Sequence, residues 1–404
     1  MNHDQALTAV TQQLIQWQAV WRANPYQDLF PRWLQQHPEL EQALMALCHR
    51  DVQVLEQDEA ALAHWLQQQG GLKGLPALPK VAISEPVLDY RPNPRQFAHI
   101  PGRKWTQILG FSAHIPSLNL PFVEWCAGKG HLGRLLSLAQ QQPVLSLEYD
   151  APLVAAGNQL AQRAGAQQQC VQQDVLDPAC QQHLKQQQHA VALHACGDLH
   201  VQLMRLASAK KTQAISLSPC CYHLTADEHY QPLSAQAQTQ PLLLSRQELR
   251  LAVLETATAP RRVRRLRSRE MSYRLACRWL YQQLLGQPAP NLSSVPKQRL
   301  GHGFADFARF AFGQWQQPLA GDAPLAEALV QGRQQWRRLR RLELLRQTFR
   351  PYLERYLVLD RIRYLEEQGY RVELTRFAQR EVTPRSYLIQ AQWQESQPST
   401  PSMV

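Results

Sequence analysis

The stretch from Phe122 to Leu136, FVEWCAGKGHLGRLL, constrains the fold of this chain more than any other. An apolar run from Leu118 to Trp125 breaks at glycines and gives way to helical periodicity near His131, which predicts a strand, a tight turn and a helix start. Gly128 and Gly130 allow the backbone to turn sharply and approach a ligand, and the free N–H groups of the new helix favour a negative group. Such a turn holds part of a nucleotide-like cofactor.

The alternation of strand and helix then recurs along the chain. Residues 143–150 (PVLSLEYD), 170–175, 190–198 (AVALHACGD) and 213–220 (QAISLSPC) read as further strands with helical segments between them, the pattern of a parallel α/β sheet with right-handed crossovers. Residues 349–368 form an amphipathic helix stopped at Gly369, and 370–377 with 386–393 make two last strands that suit an antiparallel edge. The expected organisation is a helical accessory module over 1–69 and a Pro- and Gly-rich linker over 70–96. A mostly parallel core fills 97–243, a helical insertion 244–347, and the last helix and two strands of the core 348–394; 395–404 is a disordered tail. In the N-terminal module Leu7, Val10, Leu14, Trp17 and Trp21 share one helical face, and residues 39–55 and 59–69 read as two more helices.

The glycine turn fits the dinucleotide fingerprint G-x-G-x-x-G, with Glu148 twenty residues beyond Gly128 where an acid takes ribose hydroxyls, so alone it also suits a nicotinamide enzyme. Three features favour S-adenosylmethionine. Glu124 precedes the glycines and suits a cationic amino-acid ligand, Asp174 ends the third strand where an adenine amino group can be met, and the terminal helix and strand pair suit a methyltransferase sheet.

Charge bears on the acceptor. Against 32 Asp and Glu stand 43 Lys and Arg, a formal charge of +11, which favours polyanions. Six arginines fall within the nine positions 261–269 (RRVRRLRSR), Arg261, Arg262, Arg264 and Arg265 among them, and five within 333–341 (RQQWRRLRR). Such runs read as a solvated face or as a surface relieved by phosphates, whose counterions are released on binding. Inserted before the last helix, they are expected beside the methyl donor and to bind RNA substrate. No apolar run approaches the roughly 20 residues of a membrane span and residues 1–20 carry no signal h-region, so a cytoplasmic protein is expected, with no obligate protein partner inferred. The eight cysteines lack a secreted framework's spacing and are expected as thiols.

WCAGKGHLGR (125–134), LHACGDL (193–199), SPCCYH (218–223), LDRIRYLEEQGY (359–370) and TPRSYLIQA (383–391) resemble, in order, one branch of Rossmann-fold S-adenosylmethionine methyltransferases. That branch includes methyltransferase-like proteins related to the animal glutathione S-transferase C-terminal-domain-containing protein and, more distantly, the tRNA acceptor-stem ribose methyltransferases. The resemblance implies a Rossmann-like methyltransferase sheet and S-adenosyl-L-methionine as cofactor. It carries Cys126, Ala127, Gly128, Lys129 and Gly130 onto the cofactor loop, Glu148 onto the ribose acid, and Asp174, with Val175 beside it, onto the adenine side. Asp198, in the segment beginning at His194, takes the position facing the reacting methyl group, with His194 on the cofactor. The N-P-P-Y type of motif of amino-group methyltransferases is missing there, which weighs against amine methylation.

The expected catalytic set is Asp198, Cys220, Cys221 and His223. Cys126, Cys196, Cys220 and Cys221 fall at carboxyl ends of strands and gather near one crevice with His194 and His223. Three readings fit them. They pack under the cofactor; or a thiolate, activated by His223, adds to a pyrimidine for C5 methylation, a placement similar to that of pyrimidine-C5 RNA methyltransferases. The third is a metal site, but the set lacks the C-x₂-C spacing of zinc modules, and no metal is expected. Methylation of a ribose hydroxyl needs only a proton acceptor such as Asp198 or His223. The sequence therefore predicts a methyltransferase acting on tRNA or rRNA; a protein methyltransferase, or an RNA-binding assembly factor retaining the pocket, are the alternatives.

Overall fold

The computed structural model describes residues 2–69, 72, 75–84, 86–98, 100–253 and 261–395, the side chain of Arg261 excepted. Gly70 and Gly71 of the expected helix stop, residues 254–260 of the insertion and the tail 396–404 lie outside the described residues. The N-terminal helices are α1 (His3–Gln16), α2 (Gln18–Trp21), α3 (Arg32–Gln35), α4 (Pro38–Ala46), α5 (His49–Gln57), α6 (Glu59–Gln68) and α7 (Gly102–Ala113). There follow β1 (Phe122–Trp125), α8 (His131–Gln140), β2 (Val144–Glu148), α9 (Ala151–Ala164), β3 (Gln168–Gln172), β4 (His189–Cys196), α10 (Asp198–Ala209) and β5 (Ala214–Cys220). The rest comprises α11 (Ala235–Thr239), α12 (Arg246–Ala252), α13 (Arg261–Leu285), α14 (Phe304–Gln314), α15 (Leu325–Thr348), α16 (Arg350–Glu367), β6 (Tyr370–Arg376) and β7 (Tyr387–Trp393). Among the described residues no helix is long and apolar enough to cross a membrane.

Seven strands form one sheet in the order β3-β2-β1-β4-β5-β7-β6. The first five pair in parallel, and β7 runs antiparallel to both β5 and β6, a Rossmann-like methyltransferase sheet. Strand order reverses between β1 and β4, and ligands of open α/β sheets bind outside the carboxyl ends at that reversal. One face is sealed by Phe111, Leu132, Leu135, Leu136, Phe377 and Leu388, all buried, which holds α7 and α8 against β1.

The chain divides into two compact units. The sheet unit holds residues 1–15, 77–254 and 350–404, and the helical unit holds 16–76 and 255–349. The sequence boundaries differ here in two ways. Up to Ile15, α1 belongs with the sheet, where His3 Nδ1 meets Glu366 at 2.6 Å and Gln236 Nε2 donates to the Asp4 carbonyl at 2.8 Å. The remaining N-terminal helices join the insertion in one body: Arg338 and Arg340 of α15 bind Glu41 and Glu56, and Arg346 donates to the Trp21 carbonyl at 3.1 Å. Residues 39–55, read as one helix, are α4 and α5, because Cys48 caps the second: its sulfur accepts from Asp51 N–H while the Asp51 carboxylate accepts from Cys48 N–H. Phe304, Phe307, Phe312 and Leu280 centre the helical unit's own core.

Candidate active site

The turn after β1 is built on alternating left-handed residues, Cys126 at φ 58°, Gly128 at 59° and Gly130 at 61°. Its backbone is tied down on the β2 side: Ala127 N–H donates to the Leu147 carbonyl at 2.9 Å and Gly128 N–H to Glu148 Oε2 at 2.7 Å. Glu148 Oε1 accepts from Asp150 N–H at 3.0 Å, so the expected ribose acid also holds the loop. A Cβ on Gly128 would meet nothing within 4 Å, whereas one on Gly130 would lie 2.4 Å from Gln168 Nε2, so the turn is open at the first glycine and closed beneath the second. Lys129 is exposed.

Glu124 is only 3% exposed and accepts from Ser146 Oγ at 2.6 Å and from the Gly133 N–H of α8. Burial raises its carboxyl from 4.5 to about 7, more than Ser146, Gly133 and the charges of Arg134 and Lys104 can offset. The folded chain thus prefers the proton. That preference stabilises fully below about pH 4.5 and is lost as pH rises through about 7. Glu124→Gln should flatten the fall in melting free energy between pH 5 and 8 by up to about 3 kcal/mol, measured by urea melts; an unchanged slope refutes the buried-acid account.

β3 ends at Gln172, so Asp174 lies two residues past it, exposed, its Oδ1 accepting from Leu176 N–H at 2.9 Å; Val175 beside it is buried. At the end of β4 the backbone is again unusual: His194 has φ 65° and Gly197 57°. His194 Nε2 meets Gln107 Oε1 at 2.8 Å, and Gln107 Nε2 donates to the Val382 carbonyl, which fixes the amide and gives His194 the Nε2–H tautomer. Burial, then Arg385 and Lys104, lowers His194 to about 4, so the ring is neutral and Nδ1 is an acceptor. The same Lys104, on α7, acts on Glu124 and His131.

The structure gathers the strand-end cysteines. Cys196 and Cys220 are register partners across β4 and β5 with sulfurs 3.5 Å apart, and the sulfurs of Cys196, Cys220 and Cys221 lie within 4.8 Å of one another. Cys126 is near enough for Cys196 to act on it, and burial pushes its thiol up to about 12. Cys221, at φ 48°, lies 3.3 Å from Arg385 Nη1. A hydrogen bond from Cys220 holds the Cys221 thiol down at about 5, with Cys196, Arg385 and His223 assisting against burial. Its partner Cys220 is pushed up, first by the bonds to Cys196 and Cys221 and then by burial. Within the trio, Cys221 is the thiol held low. Three sulfurs this close have the span of a soft-metal site, and the Arg385 cation beside Cys221 favours a free thiolate there.

His223 is half-buried, its Nδ1 has no hydrogen-bond partner among the described residues, and burial and Arg250 lower its pKa, with Cys221 opposing. Asp198 starts α10, and its Oδ2 accepts from Ala226 N–H at 2.8 Å, so half of its carboxylate clamps the loop after β5. Gln107 and Arg385 were missed by residue-type reasoning, although Arg385 sits inside the TPRSY motif. Of the expected substrate arginines, Arg262 and Arg265 are exposed and Arg264 half-buried on α13 of the helical unit, and the side chain of Arg261 lies outside the described residues.

Residues 104–228 match the family model described as a methyltransferase domain. Among solved structures, the chain is similar to the 23S rRNA methyltransferase ErmE at 16% identity over 60% of this chain and 99% of that one, TM-score 0.24. It is also similar to magnesium protoporphyrin IX methyltransferase from Synechocystis PCC 6803, crystallised with bound SAH, at 14% identity and TM-score 0.24, over 31% of this chain and 63% of the length of that one.

Proposed function

From an S-adenosylmethionine-dependent methyltransferase domain over residues 104–228, we propose a chain that methylates RNA, tRNA or rRNA, in the cytoplasm, at the carboxyl ends of β4 and β5. The observation that carries this reading is the Cys221 sulfur 3.3 Å from Arg385 Nη1, a cation placed to favour the thiolate that activates a pyrimidine ring for methylation. The formal charge of +11 supports a polyanionic acceptor.

The residues fit the cofactor. Open space faces Gly128, the Glu148 carboxylate stands beside it, Asp174 is exposed past β3, and the α8 N-terminus with Lys104 offers positive potential to a carboxylate. When bound, S-adenosylmethionine supplies an electrophilic methyl group. The chain's own part derives from its charges. The Cys221 sulfur adds to C6 of a pyrimidine, and the C5–C6 π electrons move to C5, which becomes the nucleophile. After methylation the C5 proton passes to a base, for which His194 Nδ1 is free by tautomer, and elimination of Cys221 restores the ring and the thiolate. Arg385 stabilises the thiolate before addition and again after elimination.

Labelled methyl transfer to total RNA and to protein extracts from a deletion strain tests the acceptor. Label in RNA is expected; label in protein alone overturns the RNA reading, and none in either, with cofactor binding intact by calorimetry, leaves an assembly factor. Cys221→Ala should lower kcat at least 100-fold and abolish covalent capture of 5-fluoropyrimidine RNA; full activity excludes it as nucleophile.

A further inference from the structure

The helical unit contains a concave pocket of about 630 Å³ that the methyl-transfer chemistry does not use. Residues of α5, α13 and α15 line it. Gly332 lets α13 and α15 touch, since a Cβ there would lie 2.3 Å from the Ser272 carbonyl, and one turn further along Trp336 Nε1 donates to Ser268 Oγ at 2.8 Å. The lining also carries Arg265, Arg269, Arg333, Arg337, Arg340 and Arg341.

Among the described residues no carboxylate lines this pocket. Glu56 engages Arg340, while Arg269 and Arg341 donate to carbonyls, of Leu300 at 3.1 Å and of Arg337 at 2.8 Å, which orient a guanidinium without cancelling its charge. Arg265, Arg333 and Arg337 are exposed and have no ion pair among the described residues. The cations act on one another: after burial, Arg340 and Arg337 are what hold the Arg341 guanidinium below its usual value. A basic face that is merely solvated spreads its charges, whereas this one converges on a cavity whose floor holds an indole fixed in orientation.

We propose that this pocket binds a single-stranded segment of RNA, its arginines taking successive phosphates and Trp336 a stacked base, and so anchors the acceptor. The proposal rests on RNA being that acceptor. Arginine forks match phosphate oxygens and release counterions on contact, and an aromatic face accepts any base. The spacing fits: positions 265 and 269 on α13, and 333, 337, 340 and 341 on α15, each repeat at helical intervals and so line one face of their helix.

Fluorescence anisotropy of the full chain with a labelled 20-nucleotide oligouridine is the test. The pair Arg333→Gln and Arg337→Gln is compared with Lys297→Gln and Arg309→Gln, exposed residues of the same unit that remove equal charge outside the pocket. The pocket pair should weaken binding at least 10-fold near 100 mM salt and reduce the slope of log Kd against log salt by about 1.4; the control pair should change Kd less than 3-fold. Trp336→Leu should weaken binding at least 5-fold with little change in slope, and circular dichroism confirms that each variant is folded. Equal losses in the two pairs, or equal affinity for polyglutamate, overturn the proposal, whatever the fate of the acceptor reading. Methyl label confined to protein while the pocket pair still loses oligouridine overturns the acceptor reading and leaves the pocket a binding site for RNA.

Discussion

Gly197→Ala should reduce methyl transfer by more than 100-fold in kcat/KM while the rest of the sheet still folds, as judged by circular dichroism. Gly197 has φ 57° and ψ −124°, a region closed to side chains, and a Cβ on it would lie 1.8 Å from the Leu224 carbonyl oxygen and 2.6 Å from its carbon. Nothing flexible is there to yield. The two strands of backbone are also bonded to each other, Gly197 N–H to the Cys220 carbonyl and Asp198 N–H to the Leu224 carbonyl, each at 3.0 Å. A methyl group between them must therefore push the 220–224 turn outward, and with it Cys221 and His223. Gly165 provides the control: it too is left-handed, at φ 70°, but a Cβ there meets nothing within 4 Å, so Gly165→Ala should cost only about 1 kcal/mol and no activity. Equal effects of the two substitutions refute the steric argument.

The second large effect is on stability. Asp360, fully buried on α16, accepts four hydrogen bonds: from Tyr230 Oη at 2.5 Å, Leu233 N–H at 2.8 Å, Ser234 N–H at 2.8 Å and Ser234 Oγ at 2.6 Å. Beside it Arg361, 1% exposed, donates to His200 Nε2 at 2.7 Å and to Tyr230 Oη at 3.1 Å, and lies over the Tyr222 ring. Asp360→Ala leaves four buried donors without an acceptor and a buried guanidinium without its neighbouring negative charge. Urea unfolding should show a loss of about 3–5 kcal/mol. A loss below about 1 kcal/mol would mean that water replaces the carboxylate. Arg361 stacks on the residue next to Cys221, so a milder Arg361→Lys should leave the fold intact and yet slow turnover.

The strands were legible because burial in a parallel sheet writes short apolar runs with glycines or acids just past their ends, as in Phe122–Trp125 before Gly128 and Val144–Glu148. The antiparallel edge was legible by alternation instead: in β6 Tyr370 and Val372 are buried while Arg371 and Glu373 are exposed. The partners of individual side chains were not. Glu124 reads as a ligand acid by position, while its bonds to Ser146 and Gly133 follow from packing that no local pattern announces. The cysteine trio failed a spacing test because its closeness comes from sheet register, Cys196 opposite Cys220, and not from a local loop. Gln107 and Arg385 lie far along the chain from the groups they orient. Amphipathic helices such as α5 announce a buried face without naming what covers it, so their attachment to α15 could not be read from periodicity.

The division of the chain into two units also sets a timetable. The chain leaves the sheet unit after residue 15, re-enters at 77, leaves again at 255 and returns at 350. The helical unit lacks the helix that Glu41 and Glu56 bind until α15 has been synthesised, and the sheet lacks its antiparallel edge until β7 has followed. Neither core can close before the ribosome has passed residue 325. The early helices and the parallel strands must wait together, and half-made chains expose the apolar faces of both.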